Sequence, residues 1–314
     1  MGLPFAPPSP LQRLDGLAEP WSRARIWVKR DDLLGAGGTK VRKLAAALPA
    51  AKAARRRTVL TFGHEDSNHA LVTAAAAREA GLSAELWIEP APGAPGERRA
   101  ALDVSADRVD RRGGSLGLVT GAALRALALA LRGRRPWILP PGGTTPATCA
   151  AVACAVVEVA DQVAALGEPI PPRWAVAVGS GGTFAGLLAG ARALDLPCRI
   201  TGFSASAPGL VRAPLVAALA NAALDQLGLA GHLSADEVDL AGAQLGGGHG
   251  VATEASRRAE IEWASGGGVT LDPIFGAKAA AGMREAIEQG PPGAGWLFWQ
   301  TGMQVEMANV ASPA

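Results

Sequence analysis

The chain has 314 residues, 49% hydrophobic and 18% charged, enough to bury a sizeable core in one large or two modest domains and too apolar for wholesale disorder. Thirty Lys and Arg against 28 Asp and Glu leave a net charge of +2, which points to no nucleic-acid partner and no membrane surface. Three cysteines (Cys149, Cys154 and Cys198) without zinc-ligand spacing argue against a disulfide framework and against a metal site, and fit a reduced cytoplasm.

The segment from Met1 to Pro20 carries Pro4, Pro7, Pro8 and Pro10 and lacks the basic start and apolar run of a secretory signal. Arg25 to Arg30 reads as a short strand around Ile26-Trp27-Val28. The loop Gly35-Ala36-Gly37-Gly38 follows, then a helix from about Thr39 to Arg55, with Arg55-Arg56-Arg57 as its solvated basic end. Thr58 to Phe62 is a second strand. Asp66-Ser67-Asn68 offers N-cap chemistry to an Ala-rich helix, His69 to Ala80, stopped by Gly81. Strands are expected at Ala84 to Ile88, Arg108 to Asp110 and Trp137 to Leu139, with a helix at Ala122 to Leu131. The stretch Ala147 to Ala160 is broken by Glu158 and too short to span a bilayer.

The second half repeats this grammar. Trp174 to Val178 is an apolar strand, Gly179-Ser180-Gly181-Gly182-Thr183 a turn, Phe184 to Leu194 a helix and Arg199 to Ser204 another strand. Gly246 to Gly250 looks like a flexible surface loop. Trp296 to Trp299 is a buried strand leading to Gln300-Thr301-Gly302. Short apolar strands alternating with helices predict an α/β protein whose parallel sheets carry helices on both faces.

Three segments carry candidate chemistry. The glycines of Gly179 to Thr183 let backbone N–H groups converge at a helix N-terminus, a phosphate-binding arrangement, although a plain strand–helix turn has the same glycines. Phe184 stands where a dinucleotide fingerprint wants its third glycine, no Gly-Lys-Ser/Thr follows, and Val178 stands where a nucleophile elbow needs glycine. Lys40 opens a helix, where a cation is disfavoured; that is the direction an imine-forming amine needs, though many lysines so placed are merely solvated. Ser67-Asn68-His69 could hold a carboxylate or serve only as an N-cap.

In chain order these segments, from Lys29-Arg30 through Gly37-Gly38-Thr39-Lys40-Val41-Arg42-Lys43-Leu44, Ser67-Asn68-His69, Gly179 to Thr183 and Leu271-Asp272-Pro273-Ile274-Phe275 to Gln300-Thr301-Gly302, resemble the family of 1-aminocyclopropane-1-carboxylate deaminase and D-cysteine desulfhydrase. That family belongs to the tryptophan synthase β-like, fold type II enzymes that use pyridoxal 5'-phosphate (PLP). The resemblance covers about Lys29 to Met303. It implies two mostly parallel, helix-flanked sheets with PLP in the interdomain cleft, residues 1–44 and 149–314 forming a large domain and 45–148 a small inserted one, and a homodimer.

It also implies roles. Lys40 would hold PLP as a Schiff base and move the proton at the substrate carbon. Gly179, Ser180, Gly181, Gly182 and Thr183 would take the phosphate, with Lys43 nearby. Asn68 would bond the cofactor's phenolic oxygen and Thr301 its pyridine nitrogen. Ser67, a catalytic candidate beside Lys40, would bind the substrate together with Asn68, His69 and Phe275. No metal is implied.

Departures from the family pattern surround these positions. Thr39 replaces Asn, Asp66 replaces Gln, Phe275 replaces Tyr, Gly276 replaces Glu or Thr, Gln300 replaces His, and Met303 replaces Gly. The expected activity is therefore that of a PLP-dependent lyase or deaminase on a small amino acid, by β-elimination of the desulfhydrase type to a keto acid and ammonia, with ring opening in doubt. The alternatives are a PLP-binding protein with little catalysis, or a specialised biosynthetic PLP enzyme with a remodelled pocket.

Overall fold

A computed structural model describes residues 7–90, 96–205, 209, 211–248 and 250–302. In chain order the elements are β1 (Leu11–Leu14), β2 (Arg25–Arg30), α1 (Thr39–Ala53), β3 (Thr58–His64), α2 (Asn68–Glu79), β4 (Ser83–Glu89), α3 (Gly96–Ser105), β5 (Arg108–Arg111), α4 (Ser115–Leu131), β6 (Trp137–Leu139) and α5 (Pro146–Ala165). There follow β7 (Arg173–Val178), α6 (Gly182–Ala193), β8 (Arg199–Ser204), α7 (Ala213–Leu227), β9 (Asp239–Ala241), α8 (Glu254–Gly267), α9 (Gly276–Gln289) and β10 (Gly295–Gln300). The chain divides into two compact units, one of Lys40–Thr145 and one of the described parts of Ala6–Thr39 and Pro146–Met303.

The first unit holds a parallel four-stranded sheet in the order β5-β4-β3-β6. Alternation along β3 feeds both of its faces. Val59 packs with Leu44 and Leu48 of α1 and Leu71 and Ala74 of α2, while Leu60 packs with Trp87, Leu118 and Ala122 on the α4 side. Helix α4 starts at Ser115, seven residues before the expected Ala122. Gly117 and Gly121 weaken its sequence signal, yet Gly121 is needed there, because a Cβ would sit 2.5 Å from the Trp87 ring.

The second unit holds six strands in the order β1-β2-β10-β7-β8-β9, all parallel except β1, which runs antiparallel to β2. Strand β10 is buried along its whole length. Leu297 and Trp299 face a core built with α5, α6 and α7, and Trp296 and Phe298 face one built with α8 and α9. Helices on both faces explain why β7 and β10 read as continuous apolar runs rather than alternating ones.

Helix α5 corrects one expectation. It runs 20 residues and is long and apolar enough to cross a membrane by length and composition, because the helix continues past Glu158 to Ala165. Its Val152, Val156, Val159 and Val163 are buried in the core of the second unit. The loop after Leu245 is held at two points, since the buried Lys278 ammonium donates to the carbonyls of Leu245 (2.7 Å) and Gly248 (2.8 Å). Burial lowers the pKa of that lysine. His249 lies outside the described residues.

Candidate active site

Three adjacent strands of the second unit end side by side. Arg30 of β2 lies opposite Gln300 of β10, and Trp299 of β10 lies opposite Val176 of β7. The segments leaving these ends are the loop to Thr39, the pair Thr301-Gly302, and the turn Gly179 to Thr183. The carboxyl edge of a parallel sheet is where open α/β proteins place ligands, in the crevice outside the strand ends.

At this edge the start of α1 is pressed onto the end of β10. The Thr39 N–H donates to the Thr301 carbonyl at 2.8 Å. Gly38 has φ +55°, and a Cβ there would lie 2.2 Å from the Thr301 oxygen and 2.7 Å from the Gly302 Cα, so only glycine fits. The Thr39 hydroxyl donates to Asp31 at 2.8 Å, and the same carboxylate accepts from Ser9 and from the Trp299 indole.

The turn after β7 reaches α6 through Gly181, left-handed at φ +83° and without a side-chain cap. The first-turn N–H groups of α6 have no intrahelical acceptor, and its first turn holds no acidic residue. An anion is favoured there by those N–H groups and by the helix dipole. Helix α6 begins at Gly182 rather than Phe184, so the helix itself starts inside the glycine run.

In the first unit Lys40 sits near the start of α1, partly exposed, and Lys43 is buried one turn on with its ammonium 3.1 Å from the Gly142 carbonyl. Ser67 is the N-cap of α2, its hydroxyl accepting the Ala70 N–H at 3.2 Å. Asn68 Oδ1 accepts from Arg98, which also donates to the Asp66 carbonyl at 3.1 Å. His69 is buried, with Nε2 2.8 Å from the Thr61 hydroxyl and Nδ1 3.3 Å from that of Thr73. Its pKa falls to about 3, first through burial and then through the charges of Lys40 and Lys43. The ring is therefore neutral at ordinary pH. Gly143 covers it, a Cβ there lying 3.2 Å from the ring.

Phe275 precedes α9 and packs partly buried against the core of the second unit. Its N–H donates to Asp272 Oδ1 at 2.7 Å. The next residue, Gly276, lies against Gln300, since a Cβ on it would be 3.0 Å from Gln300 Oε1. That oxygen is buried without a hydrogen-bond partner among the described residues, while Nε2 donates to the Thr270 carbonyl at 2.8 Å. Two departures from the family pattern thus touch each other. Met303 lies outside the described residues.

The second unit therefore brings Thr301 and the Gly179 to Thr183 turn to one sheet edge, with Gly276 and Gln300 packed together. The first unit gathers Lys40 and Lys43 around the neutral His69. Sequence reasoning missed Asp31, Arg98 and the Gly142-Gly143 turn. The run Pro141-Gly142-Gly143 after a strand was the one local signal available. Among the described residues no three His, Cys, Asp or Glu side chains lie together as a metal site.

These donors are of the kinds a phosphorylated carbonyl cofactor needs: a partly exposed lysine at a helix start, a glycine turn leading into a helix N-terminus that favours an anion, and a threonine where β10 ends. The family model of pyridoxal-phosphate dependent enzymes matches residues 3–302. A Pyrococcus horikoshii protein whose name assigns it provisionally as a 1-aminocyclopropane-1-carboxylate deaminase is 31% identical over 94% of this chain and 89% of its own. The D-cysteine desulfhydrase of Salmonella paratyphi B is 30% identical over 90% of this chain and 87% of its own. A solved ACC deaminase homologue superposes with a TM-score of 0.83 at 30% identity, covering 96% of this chain and 90% of that one. The chain is a fold type II member of the pyridoxal-phosphate dependent enzyme family, of the ACC deaminase and D-cysteine desulfhydrase type.

Proposed function

We propose that the enzyme performs β-elimination on a small amino acid carrying a good leaving group, a D-cysteine-like thiol above all; the Cβ–S bond breaks, sulfur leaves as sulfide or thiol, and water hydrolyses the remaining unsaturated amino acid to a keto acid and ammonia. Bound PLP supplies the electron sink for the carbon next to the substrate nitrogen. Lys40 holds the cofactor and takes the proton from that carbon. The glycine turn Gly179 to Thr183 binds the phosphate, with Lys43 as a further cation. Thr301 offers a neutral hydroxyl to the pyridine nitrogen and Asn68 an amide to the phenolic oxygen. Ser67 and the first N–H groups of α2 hold the substrate carboxylate, and neutral His69 and the Phe275 ring shape the pocket. The unit Lys40–Thr145 supports reading residues 45–148 as an inserted small domain. The working species is read as a cytoplasmic homodimer, as the family resemblance implies.

The observation that carries the choice of reaction is that the chain contains no tyrosine, with Phe275 at the position where the resembled enzymes have one. A phenyl ring fills space but cannot relay a proton, and general acid–base help is worth about 10²–10⁴-fold. Cyclopropane ring opening needs that help most. Elimination of a thiol needs Lys40 alone. Keto-acid and ammonia release from D-cysteine and from 1-aminocyclopropane-1-carboxylate, measured side by side, tests this; efficient turnover of the cyclopropane substrate refutes it. Lys40→Ala should abolish borohydride-trapped attachment of PLP, and label appearing on Lys43 would transfer the role there.

A further inference from the structure

We propose that Asp31 is a positioning residue for Lys40, acting through Thr39; this rests on the reading of Lys40 as the lysine that carries the cofactor. Asp31 is fully buried. A buried carboxylate is tolerated only when it is well bonded. Here Oδ1 accepts from the Ser9 hydroxyl at 2.7 Å, and Oδ2 accepts from the Thr39 hydroxyl at 2.8 Å and the Trp299 indole N–H at 2.9 Å. The three donors come from three places: the segment before β1, the first residue of α1, and the interior of β10. Ser9 is itself anchored, since its carbonyl accepts from the buried Lys29 ammonium at 2.7 Å, which pairs with Glu158 at 2.9 Å.

Thr39 is thus held twice, to the residue that follows β10 and to β10 itself. Its N–H bonds the Thr301 carbonyl directly, and its side chain reaches Trp299 through the shared oxygen of Asp31. A residue fixed by both backbone and side chain has little freedom in φ or ψ. The direction in which the next residue, Lys40, leaves the backbone is set accordingly. Core stability alone does not call for a carboxylate here, because apolar replacements of buried charged networks are often neutral or stabilising. What a carboxylate adds is direction, with charge-assisted bonds to donors at defined angles.

Thr39→Val removes one hydroxyl at nearly constant volume, and Thr39→Ser keeps it. The apoproteins are compared in two measurements. One is the rate of covalent PLP attachment at Lys40, trapped with borohydride and mapped by peptide mass. The other is the affinity for 4'-deoxypyridoxine 5'-phosphate, which has the phosphate and ring but no aldehyde to react. Positioning predicts that Thr39→Val attaches PLP about tenfold or more slowly, as small misplacements of a reacting group do. It predicts analogue affinity within about twofold of wild type, and restoration of the rate by Thr39→Ser. Asp31→Asn should share the slow attachment; should it fail to fold, the two Thr39 variants decide alone. Attachment by Thr39→Val at the wild-type rate overturns the proposal, and so does a parallel fall of rate, analogue affinity and melting temperature. Label on a lysine other than Lys40 in the wild type removes the underlying reading as well, and peptide mapping separates that outcome from the others.

Discussion

The N–H of Thr39 meets the carbonyl of Thr301 at 2.8 Å, joining the first residue of α1 to the residue that follows β10. Gly38 makes the approach possible. Gly38→Ala would put a methyl 2.2 Å from the Thr301 oxygen on a backbone at φ +55°. The left-handed strain alone costs about 1–2 kcal/mol. The clash with backbone adds to it, since neither partner can swing away. Denaturant unfolding of the apoprotein should show a loss above that figure, and PLP uptake should fall with it.

Gly181→Val tests the phosphate turn. The backbone is left-handed there at φ +83°, and a Cβ would stand 3.1 Å from Val211 Cγ1. The substitution should weaken PLP binding by more than tenfold, about 1.4 kcal/mol. Spectroscopic titration of apoprotein with PLP reads this directly, and unchanged affinity would move the phosphate elsewhere.

Ser67→Ala separates two roles. Loss of the bond from the Ala70 N–H should cost about 1 kcal/mol of stability, as for other N-caps. A hydroxyl that also holds the substrate carboxylate should raise KM as well. A stability loss with unchanged KM would leave Ser67 as a cap alone.

His69 ties stability to acid. Its pKa is near 6.5 in the unfolded chain and about 3 in the fold. The unfolded state therefore binds the proton more readily. The contribution of the neutral ring is whole above pH 6.5 and is lost as pH falls from there to about 3, with a total on the order of 5 kcal/mol. His69→Gln keeps hydrogen-bonding capacity without titrating. Between pH 7 and 4 the wild type should lose more unfolding free energy than this variant; equal losses would mean the ring is not held neutral.

Much of this architecture was legible because burial on both faces leaves an apolar signature. Trp174 to Val178 and Trp296 to Trp299 can be little else than buried strands, and both lie within a residue of their observed bounds. Helix α9 is different. It opens at Gly276 with no side-chain cap, so its start leaves no local mark. Within the site, Lys40, the glycine turn and Thr301 belong to motifs that read locally. Asp31 does not, since its partner Trp299 is 268 positions away. Arg98 is 30 positions from Asn68 and enters from α3, a helix whose sequence offers no reason to single out one arginine.

Strand β10 is paired on both edges and walled by aromatic rings on both faces. Its amides can meet solvent deuterium only when the whole second unit opens, so their exchange should report global unfolding, while the ends of the chain's surface helices exchange by fraying. Thr301 is mounted directly on the end of this doubly buried strand. With Thr301 at the pyridine nitrogen, as proposed, the ring-nitrogen end of the cofactor would be referred to this strand, and adjustments during turnover would fall to groups carried on other elements.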